Sequence, residues 1–367
     1  MRKHLKFVAL CLFAGLALWW FGRSMDWEQA SAAIARADRG LIALAVAVVW
    51  LTYLLRAFRW KRLLRPLAPR ASLREAFAAT TVGFGAIFLL GRAGEVVRPA
   101  FLPLRDREVR PGAAFVTIAV ERVCDIAAVI LLFAGNLLFL RLPGADETTF
   151  ARIREAGLIL FAGAFAGLCG LVWFGRRAER VTAWAGAKLE RAPGVVRRVW
   201  GVAAGLLEQL GRTLAVLSDG RALLATAGWT AALWGAITLA NMLVLRAFGL
   251  SVGASETVFV LGWSLVGSVV PTPGAGAGTY HAATSHGLTY YLGFPETESK
   301  AAVIILHLVV FGSATFFGLY YFLRSGFSVA RLRELVADEA AEAEAEGRGG
   351  AGPRRSDSAG AARAASA

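Results

Sequence analysis

The chain has 367 residues, of which 57% are hydrophobic and only 18% charged, with a mean hydropathy of +0.56 and a formal net charge of +14. A soluble domain carries about 25% charged residues, so this balance excludes an ordinary water-soluble enzyme and points to an integral membrane protein. The basic residues cluster in loops between apolar runs and no nucleic-acid-binding motif is present, so anionic lipid headgroups account for the charge and nucleic acid is not an expected partner.

The N-terminal MRKHLK is followed by FVALCLFAGLALWWF. That run is long, ends in Trp19-Trp20-Phe21 and shows no small-x-small cleavage site, so it reads as an uncleaved first transmembrane helix with its N-terminus inside. Full spans are predicted at 5–22, 40–58, 112–140, 156–174, 221–246 and 300–323, each near the ~20 residues that cross a bilayer. Two further segments, 75–98 and 256–292, are too short and too polar in their middles to span. Each reads as a re-entrant hairpin of two half-helices joined by irregular backbone.

Loop charge orients the spans. The 56–74 stretch holds Arg56, Arg59, Lys61, Arg62, Arg65, Arg70 and Arg74 with no acid, and 176–221 holds nine basic residues against four acids. Both belong in the cytoplasm. The 23–39 and 141–155 loops balance three basic residues against three acids and belong outside. Both termini are then cytoplasmic, the first hairpin enters from the cytoplasm and the second from outside. Opposed broken helices of this kind mark carriers with inverted halves. Loop charge alone does not separate hairpins from complete double spans; length and polarity favour hairpins. The fold class is therefore all-α: about six full transmembrane helices plus two oppositely oriented re-entrant hairpins, in a membrane domain over 1–325. Residues 176–220 read as an amphipathic segment on the inner leaflet, or as a solvated helical hairpin. Residues 326–367 read as a charged helix fading into a Gly/Ala/Ser-rich cytoplasmic tail. Cys11, Cys124 and Cys169 are odd in number and lie in apolar runs without CxxC, so neither a disulfide nor a metal is expected, and no cofactor motif is visible.

Two stretches stand out. The span at 112–140 carries ERVCD, which puts Glu121, Arg122 and Asp125 within about a 100° arc and about 14 Å from the start of the helix. Ionisable groups at that depth normally face a protein interior or a wet cavity. GRAGEVVRP, at 91–99, would bring Arg92, Glu95 and Arg98 to the same level at a hairpin tip. Gly91 and Gly94 permit the tight turn and Pro99 suits its exit. These three arginines and three acids are the candidate headgroup cavity. They read either as a structural ion-pair cluster or as a site where Arg92 or Arg98 also receives a lipid phosphate by its planar fork. In the second stretch, VVPTPGAGAGTYHAATSHG, Pro271 and Pro273 break the helix and Gly274, Gly276 and Gly278 allow close backbone approach. It is neither a Walker loop nor GxGxxG. It reads as a connector, or as a second hairpin tip lining the same cavity. His281 and His286 would diverge by about 140° on a helix, so a shared metal is not expected. His307 and Asn241 read as packing residues.

Together RAFRWKRLL, GRAGEVVRPAFL, VERVCD and PTPGAGAGTYHA resemble the lysylphosphatidylglycerol synthase transmembrane family over about residues 5–325. The matching residues are Arg59 and Trp60, then Gly94, Glu95 and Arg98, then Glu121, Arg122 and Asp125, then Pro273, Gly274 and Gly276. Leu90 stands where the family pattern has proline. The resemblance implies a multi-span protein of a bacterial or archaeal cytoplasmic membrane that moves polar lipids between leaflets. Fused relatives carry an aminoacyl-transferase domain after the membrane part; only a short tail follows here, so the chain is not expected to be an enzyme. The leading expectation is a flippase-like lipid transporter whose partners are membrane lipids, an anionic phospholipid or a polyisoprenyl-phosphate lipid. The alternatives are an integral membrane transferase using Glu121 or Asp125 as a base, and an accessory protein for an envelope-lipid enzyme. A homo-oligomer or such an enzyme is the further partner left open.

Overall fold

The computed structural model describes residues 26–140, 147–189, 220–270 and 272–325, with scattered positions between 12 and 23. The chain divides into two units, Met1–Phe327 and Ser328–Ala367, and the second lies wholly outside the described residues. Every regular element among the described residues is helical.

Helix α1 (Trp27–Arg36) is short and capped by Asp26, whose Oδ1 accepts from the Glu28 and Gln29 amides. Asp38 caps α2 (Arg39–Leu64) in the same way, accepting from Gly40 and Leu41; both devices satisfy amides a helix start leaves open. A first hairpin follows: α3 (Leu73–Leu90), a 3₁₀ turn at Gly91–Val96, and α4 (Val97–Arg105). Its feet are pinned at the polar end. Arg105 Nε donates to Glu75 Oε2 at 2.6 Å, and the Ser72 amide donates to Asp106 Oδ2 at 2.7 Å. Helix α5 (Pro111–Leu137) begins with proline at its first position, where no intrahelical amide partner is lost. Helices α6 (Glu147–Leu189) and α7 (Gly220–Ala247) come next.

A second hairpin is formed by α8 (Ala254–Ser268), a tip containing the short turn Pro273–Gly276, and α9 (Thr279–His286), which runs on through a π turn at Gly287–Tyr291. Helix α10 (Glu296–His307) continues through a π turn, Leu308–Gly312, into α11 (Ser313–Leu323). Helix α2 packs along α7 and α11 along α3, while the second tip packs against α3 and the first tip. One core gathers Tyr53, Val244, Leu288 and Leu306; another gathers Trp60, Leu64, Phe101 and Val109. Large apolar side chains such as Trp50, Ile159, Phe165 and Phe316 point outward, as a lipid-facing surface requires.

Three described helices are long and apolar enough to cross a membrane: Arg39–Leu64, Leu223–Ala247 and Glu296–Leu323, with hydropathies of 2.2, 1.4 and 2.2. They cover the expected spans at 40–58, 221–246 and 300–323. The span expected at 112–140 falls on α5, whose apolar run is interrupted by three mid-helix charges, Glu121, Arg122 and Asp125. The one at 156–174 falls within α6. The first span, most of the 176–220 segment beyond Leu189, and the tail from 326 lie largely or wholly outside the described residues. One boundary differs plainly from expectation. The basic stretch read as a loop from 56 begins inside α2, which runs to Leu64, so Arg56 and Arg59 are buried helix residues.

Candidate functional site

Helix α2 presents Arg56 and Arg59 one turn apart, α4 presents Arg98 near its start, and α5 presents Glu121 and Asp125 one turn apart with Arg122 beside them. Packing of α5 against α2 and α4 brings these six groups together. Arg98 grips Glu121 with both prongs of its guanidinium, Nη1 to Oε1 and Nη2 to Oε2, the latter at 3.2 Å. Arg122 Nη2 donates to the same Oε1 at 3.2 Å, and Arg59 Nη2 lies 3.5 Å from it. Arg59 Nη1 donates to Asp125 Oδ1 at 2.7 Å and to Thr230 Oγ1 at 3.2 Å. Asp125 Oδ2 lies 3.7 Å from both Arg56 Nη1 and Arg122 Nη2.

Aromatic rings hold two of the guanidinium planes. Arg98 lies over Trp60 with its carbon 4.3 Å from the ring centroid, and Arg56 lies over Phe84 at 4.7 Å. Trp60 is itself fixed, its Nε1–H donating to Thr117 Oγ1 at 2.9 Å. Cation–π contact of this kind strengthens when desolvated. Both carboxylates are buried, Glu121 at 0% exposure, so the acids stay paired at a depth where a lone charge would be untenable.

Four arginines thus face two carboxylates. This differs from the neutral set expected from sequence, because α2 adds two arginines that sequence reading had placed in a loop. The side chain of Arg92 lies outside the described residues, as does Pro271. Glu95 is on the first tip and lines the cavity described next.

A cavity of about 510 Å³ opens between the charged layer and the second hairpin tip. That is the size of a small-ligand site. Arg56, Arg122, Asp125 and Glu95 line its charged side, and Thr272, Ala275 and Gly276 line the opposite wall. Arg98, Arg59 and Glu121 stand behind this surface. Arg56 Nε, Arg59 Nε and Arg98 Nε are buried and make no hydrogen bond among the described residues.

The two tips are turned by different means. At Gly94 a Cβ would sit 2.4 Å from the Ala86 carbonyl carbon and the Ile87 amide, so backbone approach excludes any side chain there. Gly91 also takes a positive φ, +64°. In the second tip Gly274, Gly276 and Gly278 have φ of +74°, +87° and +87°, and Ala275, between the first two, has +52°. Pro273 occupies the first position of the short turn. His281, expected to have no metal-sharing neighbour in His286, instead faces His307, with ring centroids 4.6 Å apart. Among the described residues no group of three or more metal-ligating side chains is present.

The chain is similar to a curated protein named glycosyltransferase AglD from Haloferax volcanii, 24% identical over 336 residues, covering 84% of this chain and 53% of the relative. The chain therefore spans about half the length of that relative. The expectation of a non-enzyme is corrected by this match, since the relative is named for transferase activity. A function tied to membrane lipids is supported by the same comparison and by the family model for the lysylphosphatidylglycerol synthase transmembrane region, which matches residues 7–318. With that match covering most of its length, and with its apolar helices, the chain is a membrane protein belonging to the lysylphosphatidylglycerol synthase transmembrane-region family.

Proposed function

We propose that the chain receives the phosphate-bearing headgroup of a membrane lipid in the cavity between the two hairpin tips and carries it between leaflets. The observation that carries this reading is the excess of four arginines over two carboxylates in the charged layer, two of whose arginines reach the cavity. Arg56 and Arg122 line the cavity together with Asp125 and Glu95, while Arg59 and Arg98 stand behind it, bound to Asp125 and Glu121. An anion entering there meets charge held in place beforehand, with little left to reorganise. Arginine suits the task, because its fork matches phosphate oxygens two at a time. On this reading both hairpins are re-entrant, one from each side of a cytoplasmic membrane, within about six full spans and with both termini in the cytoplasm. The acyl chains stay in lipid beside the outward apolar helix faces.

The name of the AglD relative favours a second reading, a transferase acting on a lipid-linked substrate in the same cavity. Of Glu121 and Asp125, Asp125 is the one available to such a reaction, since it lines the cavity, as Glu95 does, and Glu121 does not. Purified protein in vesicles with a fluorescent phospholipid in both leaflets separates the two. Outer-leaflet quenching beyond the half accessible in empty vesicles supports transport. Quenching that stays at half, with a covalently altered lipid-linked sugar phosphate in the mass spectrum, supports the transferase.

A further inference from the structure

We infer that the His281–His307 pair is a proton-binding site behind the second hairpin tip, whose occupancy loosens the Thr272–Gly276 wall of the cavity. This inference rests on the cavity reading above.

The two imidazoles are in contact with centroids 4.6 Å apart and planes tilted by 52°, and Tyr280 closes the group at 4.9 Å from His307. Both are buried, at 6% and 4% exposure. His281 Nδ1 accepts from the Gly278 amide at 3.2 Å, which ties one ring to the tip backbone. His307 belongs to α10 and is hydrogen-bonded to the backbone of Ala275 and Gly274 on the tip. Its Nε2 is buried and makes no hydrogen bond among the described residues. A buried ring nitrogen without a partner calls for a ligand or a role.

The wall these rings support is strained. Ala275 is the non-glycine residue with positive φ among the described residues, and it lines the cavity. A left-handed alanine costs about 1–2 kcal/mol, so its surroundings must hold it there. His307 is one of those surroundings.

The charges on the packed elements do not answer the pair. Glu28 and Arg36 sit at the two ends of α1, Arg246 in the last turn of α7, and Glu256 in the first turn of α8. On α10 itself Glu296 and Glu298 are in the first turn and Lys300 pairs with Glu296 at 2.6 Å. His286 ends α9 and stacks on Tyr290. Glu95 is on the opposite tip, and Arg56 lies across the cavity on Phe84. The face of the pair itself is aromatic, from Tyr280, Phe311 and Phe88. A proton placed on either ring is therefore best served by tip carbonyls and by water from the cavity. Tip carbonyls already reach His307, whereas water, which burial keeps from both rings, enters when the tip parts from α10. The ligand is a proton, and the consequence is headgroup access that rises on acidification through the range where histidine titrates.

The test has two readouts. In a chain with Cys11, Cys124 and Cys169 replaced by Ala, a cysteine at Ala277 is labelled with a thiol reagent from about pH 8 to about pH 5.5 and compared with a control cysteine at exposed Ser251. The ratio is expected to rise on acidification by at most tenfold per pH unit, the limit for one proton. The rise is expected to vanish in His307→Gln and in His281→Gln. A flat ratio in the parent, or a rise that persists in His307→Gln, overturns the proton site, and the parent readout stands even if the variants fail to fold. Lipid movement in vesicles is measured in parallel. Absence of movement at every pH counts against the transport reading alone, because the labelling ratio does not depend on it.

Discussion

The first hairpin, Leu73–Arg105, turns through Gly91–Val96 beside six ionised side chains. The second, Ala254–Tyr291, turns through Pro273–Gly278 beside aromatic rings and hydroxyls. Both legs pack closely, both tips use glycine, and the tips meet at one cavity. They are held by opposite means. The first tip is fixed by side-chain charge recruited from α2 and α5. The second is fixed by backbone conformation, with Thr279 Oγ1 donating to Gly267 O at 2.7 Å across the hairpin. A charged wall that is rigid and an uncharged wall that is strained are suited to different parts, one to bind and one to yield.

The largest expected effect strikes the first hairpin. Glu121→Ala leaves Arg98, Arg59 and Arg122 without their shared carboxylate, and stranding buried charge in this way costs about 3–5 kcal/mol. Thermal unfolding in detergent is expected to show a drop of that size; a loss below about 1 kcal/mol would mean the cluster is not holding α4 to α5. Next comes Gly94→Ala, where the new Cβ meets backbone that has no rotamer to relieve it. A loss of about 1–3 kcal/mol is expected, as for overpacking. Gly276→Ala should cost less, about 1–2 kcal/mol, since its Cβ meets Ser268 Cα at 3.1 Å, a tight contact but short of the 2.4 Å overlap at Gly94, and its φ is left-handed. Equal losses at Gly94 and Gly276 would erase the contrast between the tips. The smallest effect is expected for Trp60→Phe. It keeps a ring under Arg98 and removes one donor, while Thr117 retains the Ala113 carbonyl. About 1 kcal/mol is expected from one net hydrogen bond.

Much of this arrangement is legible in the sequence. Charges inside an apolar run mark ERVCD because lipid does not tolerate them unpaired, and the spacing of Glu121 and Asp125 gives their common face. Proline and glycine mark both tips. The parts that were not legible have physical reasons. Arg56 and Arg59 lie at the end of an apolar run that continues into a basic one, so burial and exposure look alike until α5 supplies two carboxylates. The i,i+3 spacing of RAFR, followed by Trp60, is the available signal. The pairing of His281 with His307 joins residues 26 apart through the turn of α9 into α10, and no local pattern encodes it. The expectation of a non-enzyme failed for another reason: no local residue pattern tests it, and the correction comes from similarity to a relative named a glycosyltransferase, about half of whose length the chain spans.

The central claim is that cavity-lining arginines bind a lipid phosphate while the arginines behind them hold the fold. The direct measurement is lipid movement in vesicles for Arg56→Lys and Arg98→Lys side by side, each normalised to folded protein. Lysine keeps the charge and loses the fork. Arg56→Lys is expected to keep its thermal stability and lose about tenfold or more in lipid movement, equivalent to one phosphate hydrogen bond of about 1.5 kcal/mol. Arg98→Lys is expected to lose stability first, because its two-pronged grip on Glu121 and its place over Trp60 are structural. Normal movement in Arg56→Lys, with impaired movement in a fully stable Arg98→Lys, would contradict the account.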